Sequence, residues 1–312
     1  MSDDPGAMLE RHTEDYQVVR ELHRIRPHAT YEVRFRGERA VCKLATHPLG
    51  DPELEAHILQ YVGAETSVPV PEVLAVGDDH FVARWCDGLP NEAPERDEER
   101  IRALGRGLAT LHEETAADFD RTGFLRVGDD GTLAVDADRR WSDTLLALLK
   151  RREQFLDTVG YGHLAREAAD WLRANHERFN SVDDAVLVHG NYFGEHVAVE
   201  DSETSAVIDF EHALAASPEW GYLRTALPVF GANATHDVPE RVFREAYESV
   251  RPLPAGFDQR RDAYVALNAV SYLRSLHLQR GDIDDRQAVA RRARLFAERL
   301  GDRLQGLETA ES

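Results

Sequence analysis

Residues 186–213 read VLVHGNYFGEHVAVEDSETSAVIDFEHA, and the rest of the chain is read outward from them. Three short apolar runs, 185–188, 197–199 and 206–208, have strand length and β-branched content. Asp201, Ser202, Glu203 and Thr204 separate the last two, a turn composition that predicts a hairpin. Polar and titratable residues crowd the ends of the runs. His189 and Asn191 follow the first, Glu195 and His196 precede the second, and Asp209 and Glu211 follow the third. Loops at neighbouring strand ends can bring such groups together, as holding a cation and a phosphate requires.

The composition narrows the setting. At 312 residues the chain is long enough for two lobes with sizeable cores. With 57 acids against 37 bases the net charge is -20, which argues against nucleic acid and anionic membranes as partners. Lys43 and Lys150 are the only lysines; every other base is an arginine. An acidic surface with few lysines is the composition of a halophilic cytoplasm; the plainer alternative is an arginine bias from a GC-rich genome. Cys42 and Cys86 cannot make a disulfide framework or a thiolate zinc site, so they read as buried apolar residues in a reducing compartment. The N-terminal stretch MSDDPGAMLERHTED is acidic and has no apolar core, so it does not read as a signal peptide. No run approaches the roughly 18 apolar residues of a membrane span. The expectation is a soluble, cytoplasmic protein.

In this order of residues the stretch resembles the aminoglycoside phosphotransferase and choline kinase family, small-molecule kinases built like protein kinases. Their catalytic loop reads H-G-D-x-x-x-x-N, then a hairpin, then I-D-x-E. His189 and Gly190 match, Asp209 matches the metal-binding aspartate, and Glu211 matches the acid two residues on. Asn191 stands at the catalytic aspartate's position and His196 at that of the metal-binding asparagine. The resemblance implies an α+β, bilobal, protein-kinase-like fold. A small antiparallel-sheet lobe over residues 1–86 would bind nucleotide, and a larger, mostly helical lobe over 87–312 would carry catalysis and substrate.

Patterns along the chain follow that order. Leu9, Tyr16, Val19, Leu22 and Ile25 predict an amphipathic helix over 8–25. Strands are predicted over 30–35 and 40–44 around the Gly37-Glu38 turn, then a helix over 51–63, then strands over 72–76 and 80–85. By resemblance the first hairpin covers the nucleotide phosphates, although RPHATY, residues 26–31, holds no glycine. Lys43 on its second strand would pair with the phosphates and with Glu55 of the helix. Its retention among so many arginines suggests a site that needs a compact ammonium. Residues 81–86, including Arg84 and Trp85, would form the hinge that holds adenine. A turn-rich connector over 87–94 marks the lobe boundary. Helices are predicted near 95–114 (ending in the family's Leu111-His112), 141–158, 162–179, 218–230, 238–250, 257–278 and 284–305, with a loop or hairpin over 118–138. Arg291, Arg292 and Arg294 read as a solvated helix face.

Asp209 ends an apolar run beside a second acid, a setting that suits a hard divalent cation. Glu211 fits either a second metal or a backbone cap. His189 reads as structural, fixing the loop. Mg²⁺ prefers oxygen, so His196 fits binding through water, a softer metal, or donation to a phosphate. Asn191 keeps an acceptor oxygen but neither the charge nor the basicity of aspartate. Positioning carries most phosphoryl-transfer catalysis, so slow turnover remains compatible with asparagine, with Glu195 or Glu211 as substitute bases. The expected function is transfer of phosphate from ATP or GTP, with Mg²⁺, to a hydroxyl of a small molecule. Asn191 and Asp209 would be catalytic, Lys43, Glu55, Arg84 and Trp85 would hold nucleotide, and His196, Asp209 and Glu211 would hold metal. The alternatives are a catalytically silent nucleotide- or ligand-binding protein of the same fold, and a metal-dependent hydrolase using His189, His196, Asp209 and His212. An acidic cleft would suit a cationic acceptor, but the whole chain is acidic, so the acceptor is not readable.

Overall fold

Val19 and Ile25, which the helix predicted over 8–25 would bury, are 46% and 57% exposed. That segment is instead a short helix α1 (Pro5–Leu9) followed by a strand β1 (Tyr16–Ile25). The expected helix is therefore wrong beyond Leu9. Val18 pairs with Val33, and the ladder along this strand, interrupted at Val19 and Leu22, outweighs a spacing that also fits a helix. In the computed structural model the described residues are 4–90, 97–128, 130–136, 140–180, 185–231, 237–278 and 286–309.

Strands β2 (His28–Phe35) and β3 (Glu38–Ala45) form the next hairpin. Its two-residue loop places Arg36 and Gly37 at φ 51° and 80°, the left-handed pair that matches strand twist. Helix α2 (Pro52–Glu65) starts on Asp51, which accepts the Leu54 N–H, with Pro52 in the first turn. Strands β4 (Val73–Gly77) and β5 (His80–Arg84) complete a five-stranded antiparallel sheet ordered β1-β2-β3-β5-β4. On one face Leu9 of α1 packs with Val33, Phe35, Cys42 and Leu44. Side chains alternate along a strand, so Lys43, between Cys42 and Leu44, faces the other way.

The connector expected over 87–94 is described only as far as residue 90. Helix α3 (Glu98–Glu114) follows, then a hairpin of β6 (Gly123–Val127) and β7 (Leu133–Val135), then helices α4 (Trp141–Asp157) and α5 (Gly162–Ala174). The central stretch gives β8 (Val186–Val188), β9 (Val197–Glu200) and β10 (Glu203–Val207). The predicted hairpin joins β9 to β10 through Asp201 and Ser202, both at positive φ. β8 does not join them. It pairs with β11 (Leu214–Ala216), a three-residue strand too short to show alternation in sequence, in a sheet ordered β7-β6-β11-β8. Helices α6 (Pro218–Phe230), α7 (Glu240–Glu248), α8 (Phe257–Leu278) and α9 (Arg286–Thr309) follow. Their buried side chains join those of α3 to α5 and β8 in one core. The fold is α+β, sheet first and mostly helical after. Among the described residues no helix is long and apolar enough to cross a membrane.

Candidate active site

Lys43 joins the two ends of the site. Its Nζ donates to Asp209 Oδ1 at 2.7 Å and lies 2.7 Å from Glu55 Oε2 and 3.5 Å from Glu211 Oε2. Lys43 and Glu55 are both buried. Burial alone would strip the ammonium of its proton, but Asp209, Glu55 and Glu211 outweigh it and hold the Lys43 pKa above the ordinary range. Burial likewise opposes the Asp209 carboxylate, and Lys43 with His196 overcomes it, so that pKa is lowered. Glu55 is the deepest of the acids, and there burial wins and raises the pKa, with Lys43 pulling the other way.

Asp209 follows β10 at φ +69°, a left-handed conformation that aspartate tolerates better than most residues. Ile208 just before it is fixed by two bonds: its N–H to the His196 carbonyl at 3.0 Å, and its carbonyl to His189 Nε2 at 2.9 Å. His189 Nδ1 accepts the Asn191 N–H at 3.2 Å, so both ring nitrogens are engaged with backbone. The ring is fully buried, and burial, aided by His196, pulls its pKa down to about 3. His189 thus has no lone pair left for a metal, which removes one ligand from the hydrolase alternative. Gly190 sits at φ +81°, where a Cβ would lie 2.6 Å from the His212 carbonyl oxygen. Arg224 Nε donates to the Gly190 carbonyl at 2.9 Å.

His196 ends a short 3₁₀ turn, Gly194–His196. Its Nδ1 meets the Asn191 carbonyl at 3.0 Å, and a carbonyl can only accept, so this nitrogen carries the proton. Its Nε2 faces Asp209 Oδ2 at 3.3 Å, an ion pair when the ring is protonated and a lone pair toward the carboxylate when it is neutral. In the neutral form the two acceptors suit a cation beside them. Carboxylate oxygens of Glu55, Asp209 and Glu211 also lie within 4.8 Å of one another, but around the Lys43 ammonium. Glu211 is further engaged by His28 Nδ1 at 2.6 Å and His212 Nε2 at 3.5 Å. Asn191 is half-buried, and its carboxamide makes no hydrogen bond among the described residues.

Other expected residues lie apart from this cluster. The Arg84 guanidinium pairs with Glu38 and Glu72, each at 2.9 Å, on the exposed side of the sheet. The Trp85 ring is covered by the Arg39 guanidinium at 3.6 Å. The backbone N–H groups of both are engaged within the sheet, on Glu72 and Arg39 carbonyls. Glu195 is exposed. Sequence reasoning missed His28 and Arg224. His28 lay in the stretch read only for its missing glycines, and Arg224 in the helix predicted over 218–230, to which no role was given.

An ammonium held by Glu55 and Asp209, beside a histidine-fixed loop, is the arrangement of kinase-like phosphotransferases. A family model described as the phosphotransferase enzyme family (APH) matches residues 19–220, and the chain belongs to that family. Among solved structures it is similar to a candidate aminoglycoside phosphotransferase from Ralstonia eutropha, with TM-score 0.65 and 17% identity over 96% of this chain and 97% of that one. It is also similar to a thermostable mutant of aminoglycoside phosphotransferase APH(4)-Ia in ternary complex with ADP and hygromycin B. There the TM-score is 0.60 and the identity 16%, over 95% of this chain and 98% of that one. A curated relative, "Probable acyl-CoA dehydrogenase IBR3" of Arabidopsis thaliana, is 29% identical over 179 residues. These are 50% of this chain and only 20% of that protein.

Proposed function

We propose that the protein transfers the γ-phosphoryl group of ATP to a hydroxyl of a small molecule. The observation that carries this is Lys43 Nζ, 2.7 Å from both Glu55 and Asp209, an arrangement able to steady phosphates on one side and a cation on the other. Nucleotide lies between the sheet lobe, residues 1–86, and the helical lobe, 87–312, with residues 81–86 along adenine. Lys43, kept in place by Glu55, binds phosphate oxygens as a compact charge. Asp209, with His196 through a water, would hold Mg²⁺, which would offset phosphate charge. Glu211 is a less direct ligand, because His28 and Lys43 already engage it.

Asn191 orients the acceptor by accepting its hydroxyl hydrogen bond. The hydroxyl oxygen bonds to the γ-phosphorus as the bond from that phosphorus to the bridging oxygen breaks, leaving ADP and a phosphate monoester. Asparagine cannot take the proton, which passes to water or a phosphoryl oxygen. The acidic composition with few lysines supports a salt-rich cytoplasm as its setting. The test is ATP consumption with a panel of hydroxylated acceptors, followed by ³¹P NMR. A new monoester resonance that depends on both Mg²⁺ and acceptor is expected.

The unengaged Asn191 carboxamide also favours a second reading, a protein that binds nucleotide without turnover. ATP-analogue binding in Mg²⁺ with no monoester from any acceptor would select it.

A further inference from the structure

Many arginines of this acidic chain rest on carboxylates, as Arg39 does on Glu32, Arg244 on Asp258 and Arg260 on Glu219. Arg152 on α4, Arg224 on α6 and Arg274 on α8 do not: among the described residues none of the three has a carboxylate at ion-pair distance. Arg152 Nε reaches only Ser271 Oγ, at 3.4 Å. Arg224 spends its Nε on the Gly190 carbonyl at 2.9 Å and lies 5.1 Å from the Tyr272 ring centroid. Arg274 lies 5.4 Å from the Phe155 centroid. All three are half-buried.

These cations act on one another and on the site. Burial, then the charges of Arg274, Arg224 and Arg151, pulls the Arg152 pKa down to about 9. Arg274 feels Glu211, and His212 feels Arg224 and Arg152. Arg224 holds the carbonyl immediately before Asn191, so the cluster borders the loop that would orient the acceptor. Half-buried like charges with no carboxylate at ion-pair distance among the described residues are unfavourable, and an anion entering among them lowers that penalty. Planar guanidinium forks match the oxygens of phosphate and carboxylate. The cluster is also an island in a chain of net charge -20.

We infer that Arg152, Arg224 and Arg274 line the acceptor subsite, and that the acceptor is a hydroxylated anion carrying a phosphate or carboxylate. The word acceptor rests on the phosphotransferase reading; the anion site rests on the arginines alone. Such an acceptor has the opposite charge to the one an acidic cleft would suit.

The experiment is titration calorimetry without nucleotide, using glycerol 3-phosphate, gluconate, glycerol and choline. One or both anions should bind, and glycerol and choline should not. Binding of glycerol 3-phosphate alone assigns the site to phosphate, and of gluconate alone to carboxylate. Arg152→Gln and Arg274→Gln should each weaken anion binding roughly 10- to 100-fold, the worth of a charge-assisted hydrogen bond, with ATP-analogue affinity unchanged. Arg152→Lys keeps the charge without the fork; it should lose less, and it serves if the glutamine variants do not fold. The inference is overturned if neither anion binds, if glycerol or choline binds more tightly, or if the variants bind the anions as well as the natural chain does. Failure of the natural chain to bind the ATP analogue would reject the phosphotransferase reading while leaving this site standing.

Discussion

Asn191 keeps the outline of an aspartate and gives up its charge, which makes it the most informative single position. General-base assistance is worth about 10²- to 10⁴-fold in rate. Asn191→Asp should therefore raise kcat by about that factor with the KM for ATP unchanged, as steady-state assays will show; an unchanged kcat would mean that no base is missing. Lys43 is the second such position. Removing an ammonium from three carboxylates leaves charge buried and uncompensated, which costs about 3–5 kcal/mol. Lys43→Ala should lower the urea-unfolding free energy by about that much, and adding Glu55→Gln should recover part of it. A Lys43→Ala protein as stable as the natural one would mean that the cluster at 2.7 Å is not held as described.

The loop between β8 and β9 owes its shape to the elements around it, and part of that dependence was legible in advance. His189, Gly190 and Asp209 were readable because a loop of this kind needs a ring bonded to backbone, a positive φ and a carboxylate at a strand end. β11, His28 and Arg224 were not, because each enters through a tertiary contact that leaves no local pattern. β1 was misread because its apolar spacing fits two periods, and only the neighbouring strand decides between them. Gly190→Ala meets both a left-handed φ and the His212 carbonyl at 2.6 Å. It should cost about 1–3 kcal/mol in chemical denaturation and abolish turnover. Helix α3 meets α7 through His112, fully buried with Nδ1 2.8 Å from the Tyr247 hydroxyl. Burial, then the charge of Arg251, pulls the His112 pKa from 6.5 down to about 3. Between those values the unfolded chain binds the extra proton, so this stability is complete above about pH 6.5 and falls as the pH drops toward 3. His112→Asn should flatten the pH dependence of unfolding across that window; an identical slope would mean that the ring is not held neutral.

For the molecule as a whole, -20 charges oppose compaction, while surface pairs such as Arg166–Asp157 and Arg244–Asp258 favour it. Salt screens both, shrinking the Debye length from about 10 Å at 0.1 M to about 3 Å at 1 M. Excess repulsion outweighs exposed pairs of small individual worth, so Tm should rise with KCl over that range. A falling Tm would place the balance with the ion pairs and remove the halophilic reading. Sheet-first, helix-after order was readable from patterns along the whole chain, whereas the convergence of α4, α6 and α8 on three arginines with no carboxylate partner among the described residues was not. The account turns on whether Lys43 and Asp209, brought together from distant parts of the chain, serve one nucleotide. Calorimetric titration of a non-hydrolysable ATP analogue, with and without Mg²⁺, into the natural chain and Asp209→Asn tests this most directly. The account predicts Mg²⁺-dependent binding that Asp209→Asn weakens at least about tenfold, the scale of one charge-assisted contact. No binding to the natural chain, or binding indifferent to both Mg²⁺ and the substitution, would contradict it.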